Sequence, residues 1–214
     1  MATHPHISWL RERLNNPLPG FAAQERMIGR VIAAPPQVPP NARLSAVMCL
    51  IYPNDNSWQV LLMRRMEDGH AHSGQVSFPG GRHEPDDESL MATALRETYE
   101  EVGIAPTHID VLGPLSPLYI PVSNFHVFPY VGFSQTRPTV SLSASEVSYI
   151  IEAPLSWLVN DTNKITTNVS SPAVPGLIRN VKAYQLADGG IVWGATAMML
   201  SEFEVLLRES GLNW

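Results

Sequence analysis

The sequence predicts a protein of the α/β class, in which strands and helices follow one another along the chain. Short β-branched and apolar runs bounded by turn residues are typical of strands, and segments with helical spacing and capping residues lie among them. A chain of 214 residues suits one domain with additions, because it can bury a sizeable core whereas two domains would each be small. Periodicity by itself predicts only this broad class.

The first expected elements are a helix and a linker. Residues 7–14 have the spacing of a short amphipathic helix. The Pro-rich stretch 34–40 separates this helix from the rest of the chain. Residues 1–40 are therefore expected to form an N-terminal helix and linker, and residues 41–214 to form the main domain.

The main domain is expected to begin with two strands, 43–52 and 58–64, because the turn-forming residues 53–57 separate two apolar runs. Residues 160–175 are polar and contain Pro, Ser and Thr, so they are predicted to form a long loop. Besides an acidic helix before residue 104, the other predicted elements are strands near 109–113, 126–134, 148–152, 178–185 and 190–193, and helices at 155–159 and around 194–210.

Composition excludes several classes of protein. The net charge is -6 and no basic stretch is present, which disfavours a nucleic-acid polymer as partner. Cys49 is the single cysteine, so no internal disulfide forms, and its apolar run predicts a buried thiol rather than a nucleophile. There is no secretory pattern at the start and no run of roughly 18 apolar residues that could span a bilayer. A cytoplasmic protein without membrane contact is expected; a homodimer is compatible with the sequence, which does not fix the oligomeric state.

A cluster of carboxylates is the strongest functional signal. Glu97, Glu100 and Glu101 follow a double glycine and fall within about 100° of one another on a helix, because a helix turns about 100° per residue. These charges should repel, and a divalent cation would turn the repulsion into a site. Oxygen ligands without Cys or His favour Mg²⁺ or Mn²⁺ over zinc. Asp86, Asp87 and Glu88 supply negative charge and capping oxygens at the expected helix start, and Gly103 is placed to end the helix.

The segment from Gly80 to Ile104 resembles the Nudix box, whose pattern is G-x5-E-x7-R-E-U-x-E-E-x-G-U with U an aliphatic residue. Two departures occur: six residues rather than five separate Gly81 from Glu88, and Thr98 stands at an aliphatic position. The residues that match in register are Glu88, Arg96, Glu97, Glu100, Glu101, Gly103 and Ile104. The resemblance implies a Nudix-type α/β/α sandwich with a mixed β-sheet.

The resemblance also implies hydrolysis of a diphosphate linked to another group. By position, Mg²⁺ or Mn²⁺ would be held by Glu97, Glu100, Glu101 and the backbone carbonyl of Gly81. Such ions neutralise charge on the phosphate oxygens and lower the pKa of a water molecule that attacks phosphorus.

The resemblance implies two further roles. Glu100 or Glu101 could take the proton from the attacking water, and Glu146, in a later loop, is the other candidate base, with an ordinary exposed glutamate as the alternative interpretation. Glu88 and Arg96 are expected to be a supporting pair that orients the helix and the loop, rather than ligands.

Residues upstream of the box resemble the signature of coenzyme A pyrophosphatases, L-L-T-x-R-S-x3-R-x3-G-x-V-x-F-P-G-G. Met63, Met66 and His70 stand where Thr, Ser and Arg are expected, and His is charged only part of the time at neutral pH. The positions that agree are Leu61, Leu62, Arg65, Gly74, Val76, Phe78, Pro79, Gly80 and Gly81. Arg65, His70 and Gly74 are therefore the expected substrate-binding residues.

Three functions remain open at this point. The first is hydrolysis of coenzyme A or a derivative into 3',5'-ADP and a 4'-phosphopantetheine product. The second keeps the chemistry but changes the substrate to another small nucleoside diphosphate derivative, such as ADP-ribose, a nucleotide sugar or a dinucleotide; the three substitutions support it. The third is a non-catalytic Nudix-fold binding module, which predicts loss of box carboxylates, whereas here they are intact.

Overall fold

The structure is a computed structural model that describes residues 4–29, 32–55, 57–67, 73–170 and 178–214. Its helices are α1 (Pro5–Leu14), α2 (Phe21–Gln24), α3 (Leu90–Val102), α4 (Leu155–Leu158) and α5 (Gly194–Glu209). Its strands are β1 (Arg43–Asn54), β2 (Ser57–Arg65), β3 (Val76–Ser77), β4 (Gly80–Arg82), β5 (Asp110–Pro114), β6 (Leu118–Ile120), β7 (Phe125–Phe133), β8 (Val147–Pro154), β9 (Lys164–Ser170), β10 (Ile178–Gln185) and β11 (Ile191–Trp193). Short 3-10 turns occupy Glu25–Met27, Pro106–His108 and Asp161–Asn163.

Strand β1 organises a large mixed sheet. It pairs in parallel with β7 along one edge, and on its other edge it pairs antiparallel with β4 at one end and with β2 at the other. Strands β3 and β8 extend the sheet beyond β2, while β5 and β6 pair with β7. Ala46 thus lies between Gly81 of β4 and Phe128 of β7, which brings the double glycine next to the centre of the sheet.

The two faces of the sheet are covered by different helices. Along β1, Ala46 and Met48 are buried on the face that packs against Ala94 of α3. Cys49 is buried in the opposite core, together with Leu10 of α1 and residues of α4 and α5. This alternation is expected of a strand with period two between two cores. The predicted α/β/α sandwich is confirmed.

The N-terminal helix is part of this core. Ile7, Leu10 and Leu14 of α1 are buried in the same apolar cluster as α5. The segment after α1 is fixed by the buried carboxylate of Glu202, which accepts hydrogen bonds from the Gly20 N–H at 2.9 Å and from the Gln24 side-chain amide at 3.1 Å. The division of the chain at residue 41 stays a prediction; the described N-terminal residues nevertheless pack as part of one body with the sheet.

A second, smaller sheet corrects one prediction. Residues 160–175 were expected to be a loop, but Lys164–Ser170 form strand β9, which pairs antiparallel with β10 from Lys164 to Ser170. The last part of the predicted loop, 171–175, lies outside the described residues. The side chains of β9 are half-buried or exposed, so the strand is stabilised mainly by its hydrogen bonds to β10 and less by burial of its side chains. The remaining predicted strands and helices coincide with observed elements to within a few residues.

Cys49 is a free thiol with no exposed surface. Burial raises the pKa of this thiol above its usual value, because the charged thiolate would lose its hydration. The thiol is therefore a core group, as the apolar run around it predicted. None of the helices in the described part of the chain is long and apolar enough to cross a membrane.

Candidate active site

Helix α3 carries the acidic cluster and has a defined start and end. Ser89 caps its N-terminus by accepting a hydrogen bond from the Ala92 N–H at 3.1 Å, so the cap is Ser89 and not the preceding acidic run. Gly103 ends the helix with φ +74°, in the left-handed region that glycine adopts readily. Thr98, at the position usually aliphatic, donates its hydroxyl to the Ala94 carbonyl at 2.6 Å and is tolerated in the core for that reason.

The double glycine lets α3 approach the sheet closely. Gly80 has φ +150°, and a side chain there would clash with the Ala46 backbone carbonyl on β1. At Gly81, a Cβ atom would clash instead with the carboxyl group of Glu97. Glu97 therefore lies directly against the backbone of β4, in the space that the missing side chain of Gly81 leaves.

Glu101 is the most buried of the three carboxylates, with a side chain only 2% exposed. One of its oxygens accepts the Gly80 N–H at 2.7 Å, and the other accepts a hydrogen bond from Arg65 Nη1 at 3.0 Å. Burial raises the pKa of Glu101 to about 7, with a further increase from Glu97, against the lowering effect of the Gly80 N–H and Arg65. Burial, more than charge repulsion, makes ionisation of this carboxyl costly.

Glu97 and Glu100 share one arginine. Arg96 Nη1 lies 3.1 Å from Glu97 Oε1 and 2.7 Å from Glu100 Oε2. Burial raises the pKa of Glu97, Arg96 lowers it, and the charges of Glu100 and Glu146 raise it again. The charge of Glu146 therefore acts on Glu97, although the two residues are 49 positions apart in the sequence.

The acidic partner of Arg96 corrects the prediction. Asp87 receives two hydrogen bonds from Arg96, at 2.8 Å from Nε and 3.0 Å from Nη2, whereas Glu88, which was expected to form this pair, is exposed. The paired guanidinium lowers the pKa of Asp87 far below its usual value. Five residues separate Gly81 from Asp87, and seven separate Glu88 from Arg96, so each acidic residue matches one of the two spacings in the Nudix box. Since Asp87 is the residue that pairs with Arg96, the extra residue of this chain lies between Asp87 and Arg96. The spacing from the glycine therefore identifies the acidic partner, and the spacing from the arginine does not.

The loop that carries Glu146 is fastened to the end of α3. Its Ser141 and Ser143 N–H groups donate to the carbonyls of Val102 and Glu101, each at 2.9 Å, which satisfies carbonyls that a helix C-terminus leaves free. The Glu146 carbonyl accepts the Met66 N–H at 2.9 Å, while its side chain is exposed. The resemblance singled out Glu146 as a candidate, and the fold brings its loop to the end of the acidic helix.

The expected substrate residues have different fates. Arg65, at the end of β2, forms its ion pair with Glu101. Gly74 has φ +64° and lies against the side chain of Glu67, a conformation that favours glycine. His70 lies outside the described residues. Met63, which replaces a threonine of the signature, is fully buried in the core beneath α3, so it acts in packing.

The chemistry of these groups fits a hard divalent ion. The donors are carboxylate oxygens of Glu97, Glu100 and Glu101 with the nearby backbone of Gly81, and oxygen donors suit Mg²⁺ or Mn²⁺. Burial raises the pKa of Glu97 and of Glu101, and the positive charge of a dication would favour their ionised forms. Across the described ranges, however, no three acidic, His or Cys side chains already converge on one point, because Arg96 and Arg65 hold the glutamates.

Comparison with known proteins agrees with this geometry. A family model described as "NUDIX domain" matches residues 42–156. The chain is 34% identical over 142 residues to an uncharacterized Nudix hydrolase, NudL, of Yersinia pestis (strain Pestoides F), covering 66% of this chain and 68% of that protein. The same values hold for NudL of Yersinia pseudotuberculosis serotype O:1b (strain IP 31758).

Solved structures share the fold. A MutT protein from Methanosarcina mazei Go1 superposes with a TM-score of 0.51 at 20% identity, covering 85% of this chain and 100% of that one. A MutT/nudix family protein from Enterococcus faecalis superposes with a TM-score of 0.51 at 15% identity, covering 97% of this chain and 76% of that one. At these identities the likeness concerns the fold.

Proposed function

The chain belongs to the Nudix family of pyrophosphohydrolases, and from that premise we propose that it cleaves the diphosphate of coenzyme A or a derivative, with Mg²⁺ or Mn²⁺, into 3',5'-ADP and a 4'-phosphopantetheine product. The observation that supports a hydrolytic site is that Glu97 lies against Gly81 and that Glu100 and Glu101 follow it on the same helix. The observation that favours coenzyme A is the upstream signature, in which Arg65 and Gly74 keep their positions.

Each residue of the site has a distinct task in this proposal. Glu97, Glu100, Glu101 and the Gly81 carbonyl would hold the divalent ion, which would supply positive charge to the diphosphate and lower the pKa of the attacking water. Asp87 and Arg96 fasten the helix start to the glycine loop, since Arg96 also donates to the Arg82 carbonyl at 3.1 Å. These two residues position the carboxylates and do not touch the substrate.

Glu146 is our candidate for the group that takes the proton. Water adds to one phosphorus of the diphosphate, the bond from that phosphorus to the bridging oxygen breaks, and the water proton passes to the base. Glu146 has an exposed side chain that reaches solvent, its charge acts on Glu97, and its backbone is fastened at both ends of the loop. Glu100 and Glu101 are the alternatives, and both of them are held by arginines.

A second substrate class is favoured by one observation. Met63 replaces a hydroxyl residue of the coenzyme A signature and is fully buried, so no hydroxyl is available at that position for a substrate. ADP-ribose, a nucleotide sugar or a dinucleotide would be cut by the same carboxylates. A non-catalytic binding module is disfavoured, because every box carboxylate assigned to the ion is present.

The experiment that tests the function compares substrates directly. The purified protein is incubated with Mg²⁺ or Mn²⁺ and coenzyme A, acyl-coenzyme A, NADH, ADP-ribose or nucleoside triphosphates, and products are identified by mass. We expect 3',5'-ADP to accumulate fastest from coenzyme A or its acyl derivative. Faster release of AMP from ADP-ribose or NADH would select the second substrate class, and no turnover of any compound would contradict both.

Glu100→Gln tests whether the carboxylates of the site are needed for turnover, with Glu88→Gln as its matched control. Glu100 is about half exposed, so the variant should fold while turnover falls roughly 100-fold or more, because an electrostatic group at the site is lost. Glu88→Gln, an exposed glutamate just ahead of the same helix, removes the same charge and should retain activity. Circular dichroism of both variants verifies that they are folded.

A further inference from the structure

Arg65 is the counter-charge of the most buried carboxylate in the site. Its guanidinium lies 3.0 Å from Glu101, whose side chain is 2% exposed, while the Arg65 side chain is 32% exposed. A buried carboxylate needs an opposite charge nearby, because the hydration that stabilised it in water is lost. In the described part of the chain, Arg65 is the cation that forms an ion pair with Glu101.

We propose that Arg65 and the divalent ion compete for Glu101, and that Arg65 turns to the diphosphate of the substrate once the ion replaces it. The inference rests on the proposed function, because it needs Glu101 to serve as an ion ligand. It changes the role of Arg65 from a fixed substrate contact to an exchangeable one. The affinity for the ion and the affinity for the substrate are then coupled through one side chain.

The geometry permits this exchange. The backbone of Arg65 is fixed by pairing with Val147 of β8 and by its N–H bond to the Gln75 carbonyl at 3.0 Å. Its side chain is partly exposed and long enough to rotate about that fixed point. Glu101 keeps its second hydrogen bond, from the Gly80 N–H at 2.7 Å, so the carboxylate stays in place when Arg65 leaves.

The charges favour the exchange in one direction. A guanidinium and a dication on the same carboxylate repel each other, so Arg65 moves outward when the ion binds. A diphosphate supplies several anionic oxygens, and arginine binds such groups through a planar fork of donors. Binding of the ion thereby frees a substrate ligand, and by reciprocity the substrate strengthens binding of the ion.

Binding of Mn²⁺ alone to the full chain tests the competition, followed by electron paramagnetic resonance. In Arg65→Gln, the amide still donates to Glu101 but the competing charge is gone, so Mn²⁺ should bind about tenfold more tightly than to the wild type. Arg64→Gln is the matched control, because Arg64 is the adjacent residue, also 32% exposed, and its ion pair is with Glu67 at 3.9 Å. Equal Mn²⁺ affinity in the two variants would overturn the proposal.

Binding of ADP, as a diphosphate probe, tests the second half by equilibrium dialysis. At saturating Mn²⁺, Arg65→Gln should bind ADP about tenfold more weakly than wild type or Arg64→Gln. Without Mn²⁺, wild type and Arg65→Gln should bind ADP equally, because Arg65 is then engaged by Glu101. Equal ADP affinity at saturating Mn²⁺, or the same loss with and without Mn²⁺, would refute the exchange.

These outcomes separate this inference from the proposed function. A wild-type protein that neither binds Mn²⁺ nor hydrolyses any diphosphate would defeat the function itself. A wild type that does both, while Arg65→Gln binds Mn²⁺ no more tightly than Arg64→Gln, would defeat the competition alone. If Arg65→Gln does not fold, Arg65→Lys replaces it in the Mn²⁺ measurement. A single ammonium holds a carboxylate less firmly than a guanidinium fork, so Arg65→Lys should bind Mn²⁺ several-fold more tightly than wild type does. Unchanged affinity would count against the proposal.

Discussion

Gly80 and Gly81 are adjacent in the sequence but serve different neighbours. A side chain at Gly80 would meet the rigid backbone of β1, and its φ of +150° is unfavourable for any other residue. A side chain at Gly81 would meet only the end of the Glu97 side chain, which can move. Gly80 is therefore required for the packing of the sheet, and Gly81 is required for the position of the Glu97 carboxylate.

Alanine substitutions should separate these two roles. We expect Gly81→Ala to fold and to lose roughly 100-fold in turnover, because Glu97 is displaced from its place against β4. Gly80→Ala should lower the free energy of unfolding by more than about 2 kcal/mol. Urea unfolding and turnover measured side by side check both. A fully active Gly81→Ala enzyme would show that the contact with Glu97 has no part in catalysis.

The pair of Asp87 and Arg96 predicts a pH dependence of stability. Because the pair holds the pKa of Asp87 well below its unfolded value near 3.9, the stabilisation is complete above about pH 4 and is lost as the pH falls toward the folded-state pKa. Asp87→Asn should therefore cost about 1.5–3 kcal/mol of unfolding free energy near pH 7, and the difference from wild type should shrink below pH 4.

Glu88→Gln is the control for that measurement, because Glu88 is exposed and does not contact Arg96. Its unfolding free energy should match that of wild type across the whole pH range. Should Glu88→Gln lose as much stability as Asp87→Asn at neutral pH, the partner of Arg96 in solution is not the one seen here. Urea unfolding at several pH values decides between the two carboxylates.

Spacing alone located most of the acidic site, but not its pairings. Glu97, Glu100 and Glu101 could be placed on one helix face because helical geometry depends only on residue number. The bond between Arg65 and Glu101 spans 36 positions, and no local rule relates them. It depends on β2 ending beneath the last turn of α3, which only the folded chain defines.

At the scale of single elements, prediction succeeded where local signals were strong. Helix α3 has a capping serine and a terminal glycine, and the strands of the large sheet contain continuous apolar residues that bury on one or both faces. Strand β9 was missed because Thr166, Thr167 and Asn168 make it polar. Its β-branched residues carried the available signal, but a strand stabilised mainly by pairing with a partner has little apolar pattern of its own.

The start of α3 can be tested by removing its cap. Ser89→Ala deletes the acceptor of the Ala92 N–H bond and should lower the free energy of unfolding by about 1 kcal/mol. Asp86→Ala, at an exposed position in the acidic run that was expected to cap the helix, should have a much smaller effect. Chemical denaturation of both variants measures the difference, and an equal loss in both would move the cap away from Ser89.

At the scale of the whole molecule, periodicity predicted the α/β class and the resemblance to the Nudix box implied the mixed sheet, whereas the attachment of the N-terminal segment could not be predicted. The Pro-rich stretch suggested that α1 stands apart from the domain. Three buried residues of α1 instead complete the core over α5, and Glu202 bonds to the segment after α1. Proline-rich composition describes the connecting chain and says nothing about where the helix at its far end packs.

Unfolding of the whole protein should therefore depend on α1. Leu10→Ala removes a fully buried side chain and should lower the free energy of unfolding by about 2–5 kcal/mol while the transition remains single. Glu12→Ala, on the exposed side of the same helix, should change it little. A variant Leu10→Ala that leaves the main transition unchanged and adds a separate early one would show that α1 is an independent unit.

The thiol of Cys49 can report how often the folded protein opens its core to solvent. Cys49 is the single cysteine, it has no accessible surface, and the core that it shares with α1 and α5 must open before a reagent can reach its sulfur. The rate at which a disulfide reagent modifies the native protein therefore tracks the frequency of global opening rather than local fraying. The colour change of such a reagent can time the unfolding of each substituted protein without labels or denaturant.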